Sequence, residues 1–300
     1  MATAQLDKQI NIGYTTSLSQ HMGKLIRLDG GNCGQFFTRS PQTFKTVPFN
    51  PNDWIAVKED LFESQVNCVI HCSFLINFCK RTETINYVHK LIMEDMKICS
   101  YLDCIGVIIH MGKNVEKLPY EEAFQNYVKN IKYILHITKH ITNHNNKNTK
   151  PMLILETGAG QGTEIATDLS ELGRLRKCLE PEEAERVGFC IDTCHIFTAG
   201  YDLRNIDFVE SLDAYIEMSL GWSNVKVIHL NDSLSKLNQK VDRHADISYG
   251  EITKTRKDCE GFTKFIKMCF TRNIPMVLET PGDCCEYSKQ ISLVKGWCLD

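Results

Sequence analysis

Eight short β-rich runs, separated by helical patterns, limit what this chain can fold into. They span residues 10–14, 33–38, 66–72, 104–111, 152–157, 187–193, 225–231 and 275–280. Several are unbroken apolar stretches, such as Val107-Ile108-Ile109 and Leu153-Ile154-Leu155, as expected of parallel strands covered on both faces. Three-to-four spacing marks helices between them: Ile85, Val88, Ile92, Met96 and Cys99; then Phe124, Tyr127, Val128, Ile131, Ile134 and Leu135. Leu169, Leu172, Leu175 and Leu179 follow the fifth run, and Leu212, Tyr215, Ile216 and Leu220 the sixth. Phe262, Phe265, Ile266 and Phe270 precede the eighth, and a last helix starts near Tyr287. The repeat predicts an α/β fold, a (β/α)8 TIM barrel forming a single domain over residues 10–300 after an N-terminal extension, residues 1–9. A doubly wound sheet is the alternative, but it rarely holds eight such regular repeats.

Active sites of these barrels lie at the C-terminal strand ends, and the unusual residues fall there. His71 ends the third run, His110 the fourth and Glu156 the fifth. Asp192 ends the sixth, with His195 just beyond. His229 closes the seventh, Asp242 and His244 follow in the next loop, and Glu279 ends the eighth. A single histidine at a strand end is usually a hydrogen-bonded core residue. Nine such residues together are different, because four carboxylates aimed into one barrel mouth repel one another unless cations intervene. Imidazole and carboxylate donors suit zinc, with manganese or iron also compatible. Nine donors exceed one or two tetrahedral sites, so a three-metal cluster sharing a bridging carboxylate is the simplest count.

Other signals carry less. His136, His140 and His144 repeat every four residues and read as a solvated helix face. Gly158-Ala159-Gly160-Gln161-Gly162 imitates a dinucleotide loop, but Thr163 stands where its third glycine belongs, so it reads as a tight turn beside the strand end. The 14 cysteines lack zinc-finger spacing, and with no leader pattern or apolar run of about 20 residues they read as reduced packing residues of a protein without a membrane span. That reading leaves the compartment open among cytoplasm, nucleus and virion. The formal charge of −3 argues against a strongly basic nucleic-acid binder, although bound divalent metals would offset it.

Four segments together closely resemble the endonuclease IV family of apurinic/apyrimidinic endonucleases. They are Leu155-Glu156-Thr157-Gly158-Ala159-Gly160-Gln161-Gly162; Cys190-Ile191-Asp192-Thr193-Cys194-His195 through Ala199-Gly200-Tyr201-Asp202; His229-Leu230-Asn231-Asp232; and Val241-Asp242-Arg243-His244. The likeness runs from Ile12-Gly13 to Glu279 and is compatible with a viral member. It implies a barrel, in agreement with the strand count.

The resemblance implies that His71, His110 and Glu156 hold a first zinc, that Glu156, Asp192, His229 and Glu279 hold a second, and that His195, Asp242 and His244 hold a third. Glu156, as the bridge, and Glu279, orienting or deprotonating the attacking water, are the implied catalytic carboxylates. The implied reaction is hydrolysis of the phosphodiester 5′ to an abasic site in double-stranded DNA, leaving a 3′-hydroxyl, with removal of 3′-blocking phosphates by the same site. A monomer is expected. The expected DNA contacts are Arg39, Gln42, Phe44 and Phe74. Gln42 stands where the family often has Arg, Phe44 where Trp is common and Phe74 where Tyr is usual, with Arg39 expected to restore the missing charge. A sugar isomerase on a related barrel would lack the third site, and a non-catalytic DNA-binding relative would be expected to lose ligands.

Overall fold

The computed structural model describes residues 9–46, 50–255 and 258–299. Apart from residue 9, the expected N-terminal extension lies outside them. Eight parallel strands close into a barrel: β1 (Ile12–Thr15), β2 (Cys33–Phe37), β3 (Asn67–His71), β4 (Gly106–Ile109), β5 (Met152–Glu156), β6 (Val187–Asp192), β7 (Val225–His229) and β8 (Met276–Leu278). Each strand pairs with its sequence neighbours, and β1 pairs with β8 to complete the ring. The expected (β/α)8 architecture is present. The ladders stop a residue or two inside several predicted runs, where the chain turns into the mouth.

Helices wrap the outside: α1 (Met22–Leu28), α2 (Pro51–Ser64), α3 (Asn86–Leu102), α4 (Tyr120–Ile137), α5 (Leu169–Lys177), α6 (Pro181–Ala184), α7 (Thr193–Ala199), α8 (Ile206–Ser219), α9 (Asp258–Thr271) and α10 (Tyr287–Leu299). Sequence periodicity misses α1, α2, α6 and α7. On α2 the buried side chains are Val57, Asp60 and Leu61, too thin a stripe to read as amphipathic. Its start was nevertheless encoded, by Asn50 as N-cap, Pro51 in the first turn and Asp53 completing a capping box. In the sixth run the strand ends at Asp192, because its carboxylate accepts from the His195 backbone N–H at 2.8 Å and starts α7. Gly200, with φ of 119°, ends that helix in the left-handed region.

The barrel interior contains a separate apolar cluster: Cys33, Val69, Ile108, Ile154, Cys190, Val227 and Val277, one from each of β2 through β8. Side chains alternate along a strand with period two, so the interior residue after each of these lies two positions on. Those residues are Gln35, His71, His110, Glu156, Asp192, His229 and Glu279. An apolar floor therefore sits directly beneath a polar mouth, and the period that builds the core also aims the candidate site.

Candidate metal centre at the barrel mouth

Glu156 is the hub. It is buried, with Oε2 3.1 Å from His71 Nε2 and 3.5 Å from His110 Nε2. Its Oε1 lies 2.9 Å from His229 Nδ1 and 3.4 Å from His195 Nδ1. His229 Nδ1 is also 2.9 Å from Glu279 Oε2 and 3.8 Å from Asp192 Oδ2. Two groups of donor atoms each lie within 4.8 Å of one another: His71, His110 and Glu156; and Glu156, Asp192, His229 and Glu279. They share Glu156, the position expected to bridge.

A third group forms beyond them. Asp192, His195 and His244 bring donor atoms within 4.8 Å of one another. Asp242 lies 3.2 Å from the Nε2 of both His195 and His244. All nine expected residues thus meet in one mouth, with Asp192 closer to the third group than the motif assignment put it. Cys194 places its thiol near Asp242 and His244 as well. Burial pushes that thiol up to about 12, so at neutral pH it stays protonated, as a packing residue would.

The ring nitrogens are oriented from behind. His71 Nδ1 is 2.7 Å from the Cys72 carbonyl, His195 Nδ1 is 2.7 Å from that of Thr157, and His244 Nδ1 is 3.2 Å from that of Glu279. A carbonyl can only accept, so each Nδ1 carries a proton and each Nε2 faces the cluster. Asn231 donates to Asp192 Oδ2 at 2.7 Å and accepts from the Glu279 backbone N–H at 2.8 Å. Its neighbour Asp232 points elsewhere, accepting from the backbone N–H groups of Gly250 and Ile252 and from the Thr253 hydroxyl.

Does the site suit cations? The Nε2 atoms of His195 and His244 are buried and have no hydrogen-bond partner among the described residues. Asp242 is close to both but misaligned for bonding, so the three side chains converge on the space between them. That is the geometry of ligands sharing a target. Electrostatics agree. Burial opposes the charge on Glu156, but His110 and His229 hold its carboxyl well below the usual range. Glu279 is likewise opposed by burial yet brought down to about 2, chiefly by His229. Burial pushes Asp192 up despite its histidine neighbours. His195 and His229 are raised well above an ordinary imidazole, against burial, by the surrounding carboxylates and, for His229, by Cys190. His244 is raised to about 9, with Asp192 overcoming burial. Burial takes His110 the other way, to about 4. Without metal, imidazolium protons balance the carboxylates. The donor set, its fixed tautomers and its unpartnered nitrogens fit divalent cations.

The expected DNA contacts divide. Phe74 is half exposed over the site, its ring edge-on to His71 and His110 at 5.6 and 5.1 Å. Beside it a cavity of about 410 Å3, walled by Leu75, Ile76, Lys80 and Lys113, opens onto His110, His195 and Asp242. Gln42 is exposed, while Phe44 is half-buried with its edge against Tyr87. Arg39 is a correction: it is 2% exposed, with its guanidinium 2.6 Å from Asp95, so it presents no charge at the surface. The residue that sequence reasoning missed is Gln35, fully buried among the cluster. The period-two offset from Cys33 could have found it. His136, His140 and His144 are exposed, and Gly160 and Gly162 take positive φ in their turn, as expected.

Fold and site together define a class: a parallel (β/α)8 barrel whose C-terminal mouth gathers histidines and carboxylates in groups that could hold metal ions. Residues 25–295 match the family model of the xylose isomerase-like TIM barrels. A relative from Acanthamoeba polyphaga mimivirus, named as an endonuclease 4, is 33% identical over 312 residues, covering 98% of this chain and 94% of that protein. A relative from Methanosphaera stadtmanae with the same designation is 32% identical, covering 88% of this chain and 90% of its own. The chain belongs to the endonuclease IV family within the xylose isomerase-like TIM barrels. Among solved structures, endonuclease IV from Thermus thermophilus superposes with a TM-score of 0.77 at 24% identity, covering 96% of this chain and 98% of that one. A D-tagatose 3-epimerase-like protein superposes at 0.72 with 16% identity, covering 96% and 97%, a likeness of fold alone.

Proposed function

We propose that this chain is a DNA-repair endonuclease that hydrolyses the phosphodiester 5′ to an abasic site in duplex DNA and leaves a 3′-hydroxyl. Removal of 3′-phosphate and related blocking groups by the same site follows from the same chemistry. The observation that carries the reading is the convergence of five imidazoles and four carboxylates on one mouth, in a chain whose relatives carry an endonuclease name.

His71, His110 and Glu156 would hold one zinc, Glu156, Asp192, His229 and Glu279 a second, and His195, Asp242 and His244 a third, with Asp192 near enough to contribute. Manganese or iron at some positions would satisfy the same donors. Bound metal would acidify water near neutral pH and neutralise phosphate charge. Glu279, ionised at neutral pH and set at the solvent side of the cluster, would orient the attacking water and accept its proton. Glu156 would fix the spacing of the first two sites. His110, Asp242 and His244 are the more open members, on the side from which a phosphate would approach. Phe74 and the cavity beside it would receive a displaced sugar, and extrusion costs least where no base stacks or pairs. One chain supplies the whole cluster, so a monomer suffices.

The test is a duplex bearing a single tetrahydrofuran abasic analogue, incubated with metal-replete and with chelated protein. Expected is one cut on the 5′ side of the lesion, abolished by the chelator and restored by zinc. An intact duplex under metal-replete conditions, or cutting that ignores the chelator, would overturn the reading.

A further inference from the structure

Gln35 sits in β2 with its side chain fully buried, and every polar atom of its amide is engaged. Its Nε2 donates to Glu279 Oε1 at 2.6 Å and to Thr15 Oγ1 at 3.1 Å. Its Oε1 lies 2.9 Å from His229 Nε2. These contacts fix proton positions. Ionised Glu279 can only accept, so the NH2 end of the amide must face it. The carbonyl end therefore faces His229, whose Nε2 must carry the proton. That leaves His229 Nδ1 as the nitrogen facing Glu156 Oε1 and Glu279 Oε2, each 2.9 Å away. His71, His195 and His244 have backbone carbonyls behind their rings. His229 has this side chain instead, and it presents the opposite nitrogen.

We propose that Gln35 is a positioning residue that couples His229 to Glu279: one amide fixes the imidazole tautomer and, with its other end, the rotamer of the carboxylate assigned to the attacking water. The inference rests on the metal-dependent reading above. Gln35 lies beneath the cluster, away from the solvent side, so it acts through its two partners and not on DNA.

The test compares wild type with Gln35→Ala and with Gln35→Met, which fills the space without hydrogen bonding and guards against a cavity effect. In protein carrying 15N-imidazole histidine, wild-type His229 should show an Nε2–H proton protected from exchange, and both variants should lose that protection. Zinc affinity, read by competition with a chromogenic chelator, should fall about 10–100-fold in both, as expected when a partner behind a ligand is removed. On the abasic duplex, kcat should fall while KM stays unchanged. An Nδ1–H tautomer at His229 in zinc-loaded wild type would overturn the proposal. So would folded variants that keep wild-type zinc affinity and Nε2–H protection. A wild-type chain that holds no zinc would sink the metal reading instead; in metal-free protein, loss of exchange protection at His229 Nε2–H in both variants would still support the role of Gln35, and retained protection would overturn it.

Discussion

Asp95, buried on α3, anchors the loop that follows β2. It takes Arg39 Nη2 at 2.6 Å and the Thr38 hydroxyl, while Arg39 also reaches the Leu91 carbonyl at 3.2 Å. Two charges out of water are tolerable because each supplies the other's counterion, and removing one partner leaves the other uncompensated. Asp95→Ala is therefore expected to destabilise the chain by about 3–5 kcal/mol, read as a shift in the urea midpoint at unchanged slope. Adding Arg39→Met to that variant should recover much of the loss. A loss for Asp95→Ala under about 1 kcal/mol, the scale of an exposed pair, would show that the contact is not a buried ion pair. This pair also explains one misreading. A loop arginine reads as a surface cation, and its counterion lies 56 positions later in sequence, where short-range pattern cannot look. Gln35 is the opposite case. Its place two residues after an interior cysteine was readable, but a glutamine in a strand does not attract attention as a histidine does.

At the scale of elements, the strands were legible because burial on both faces makes them almost wholly apolar, and α3 and α4 because each presents a broad buried stripe. The short α7 was hidden inside a motif whose letters suit a strand until Asp192 caps it. Close approach of backbone was equally hidden. A Cβ at Gly13 in β1 would overlap the Cys33 carbonyl of β2, whereas one at Gly296 in α10 would meet nothing within 4 Å among the described residues. The same substitution should have opposite signs. Gly13→Ala must push two barrel strands apart and is expected to cost about 1–3 kcal/mol, as overpacking does. Gly296→Ala relieves the backbone entropy of a helical glycine and should gain about 0.5–1 kcal/mol. Urea or thermal denaturation of the two variants checks this. Equal effects at the two positions would mean that β1 and β2 are not packed backbone to backbone.

Across the whole molecule, a chain of formal charge −3 concentrates four carboxylates in one barrel mouth, and what balances them depends on pH. In chelated protein the balance falls to protons on His195, His229 and His244, all held above an ordinary imidazole, His244 at about 9. Their stabilising contribution is fully present below the unfolded imidazole value, about 6.5, and is lost as pH rises through the folded values. Zinc bound as proposed would have to displace those protons, so its binding would release them and strengthen as pH rises. His110, lowered to about 4, is already neutral and releases none at neutral pH. Both trends have the same sign: with rising pH the chelated protein loses histidine-linked stability while the zinc-loaded protein gains from tighter binding. The thermal-midpoint gap between zinc-loaded and chelated protein should therefore widen from pH 6 to pH 9, with proton release visible as a buffer-dependent binding enthalpy. A gap that narrows with pH, or binding that releases no protons, would mean that these imidazoles are not the ligands. The nine residues were legible because strand ends announce themselves in sequence. Their balance of charge was not, because it depends on distances of 2.9–3.8 Å between side chains from β3, β5, β6, β7, α7 and the segments that follow β4, β7 and β8, which only barrel closure sets.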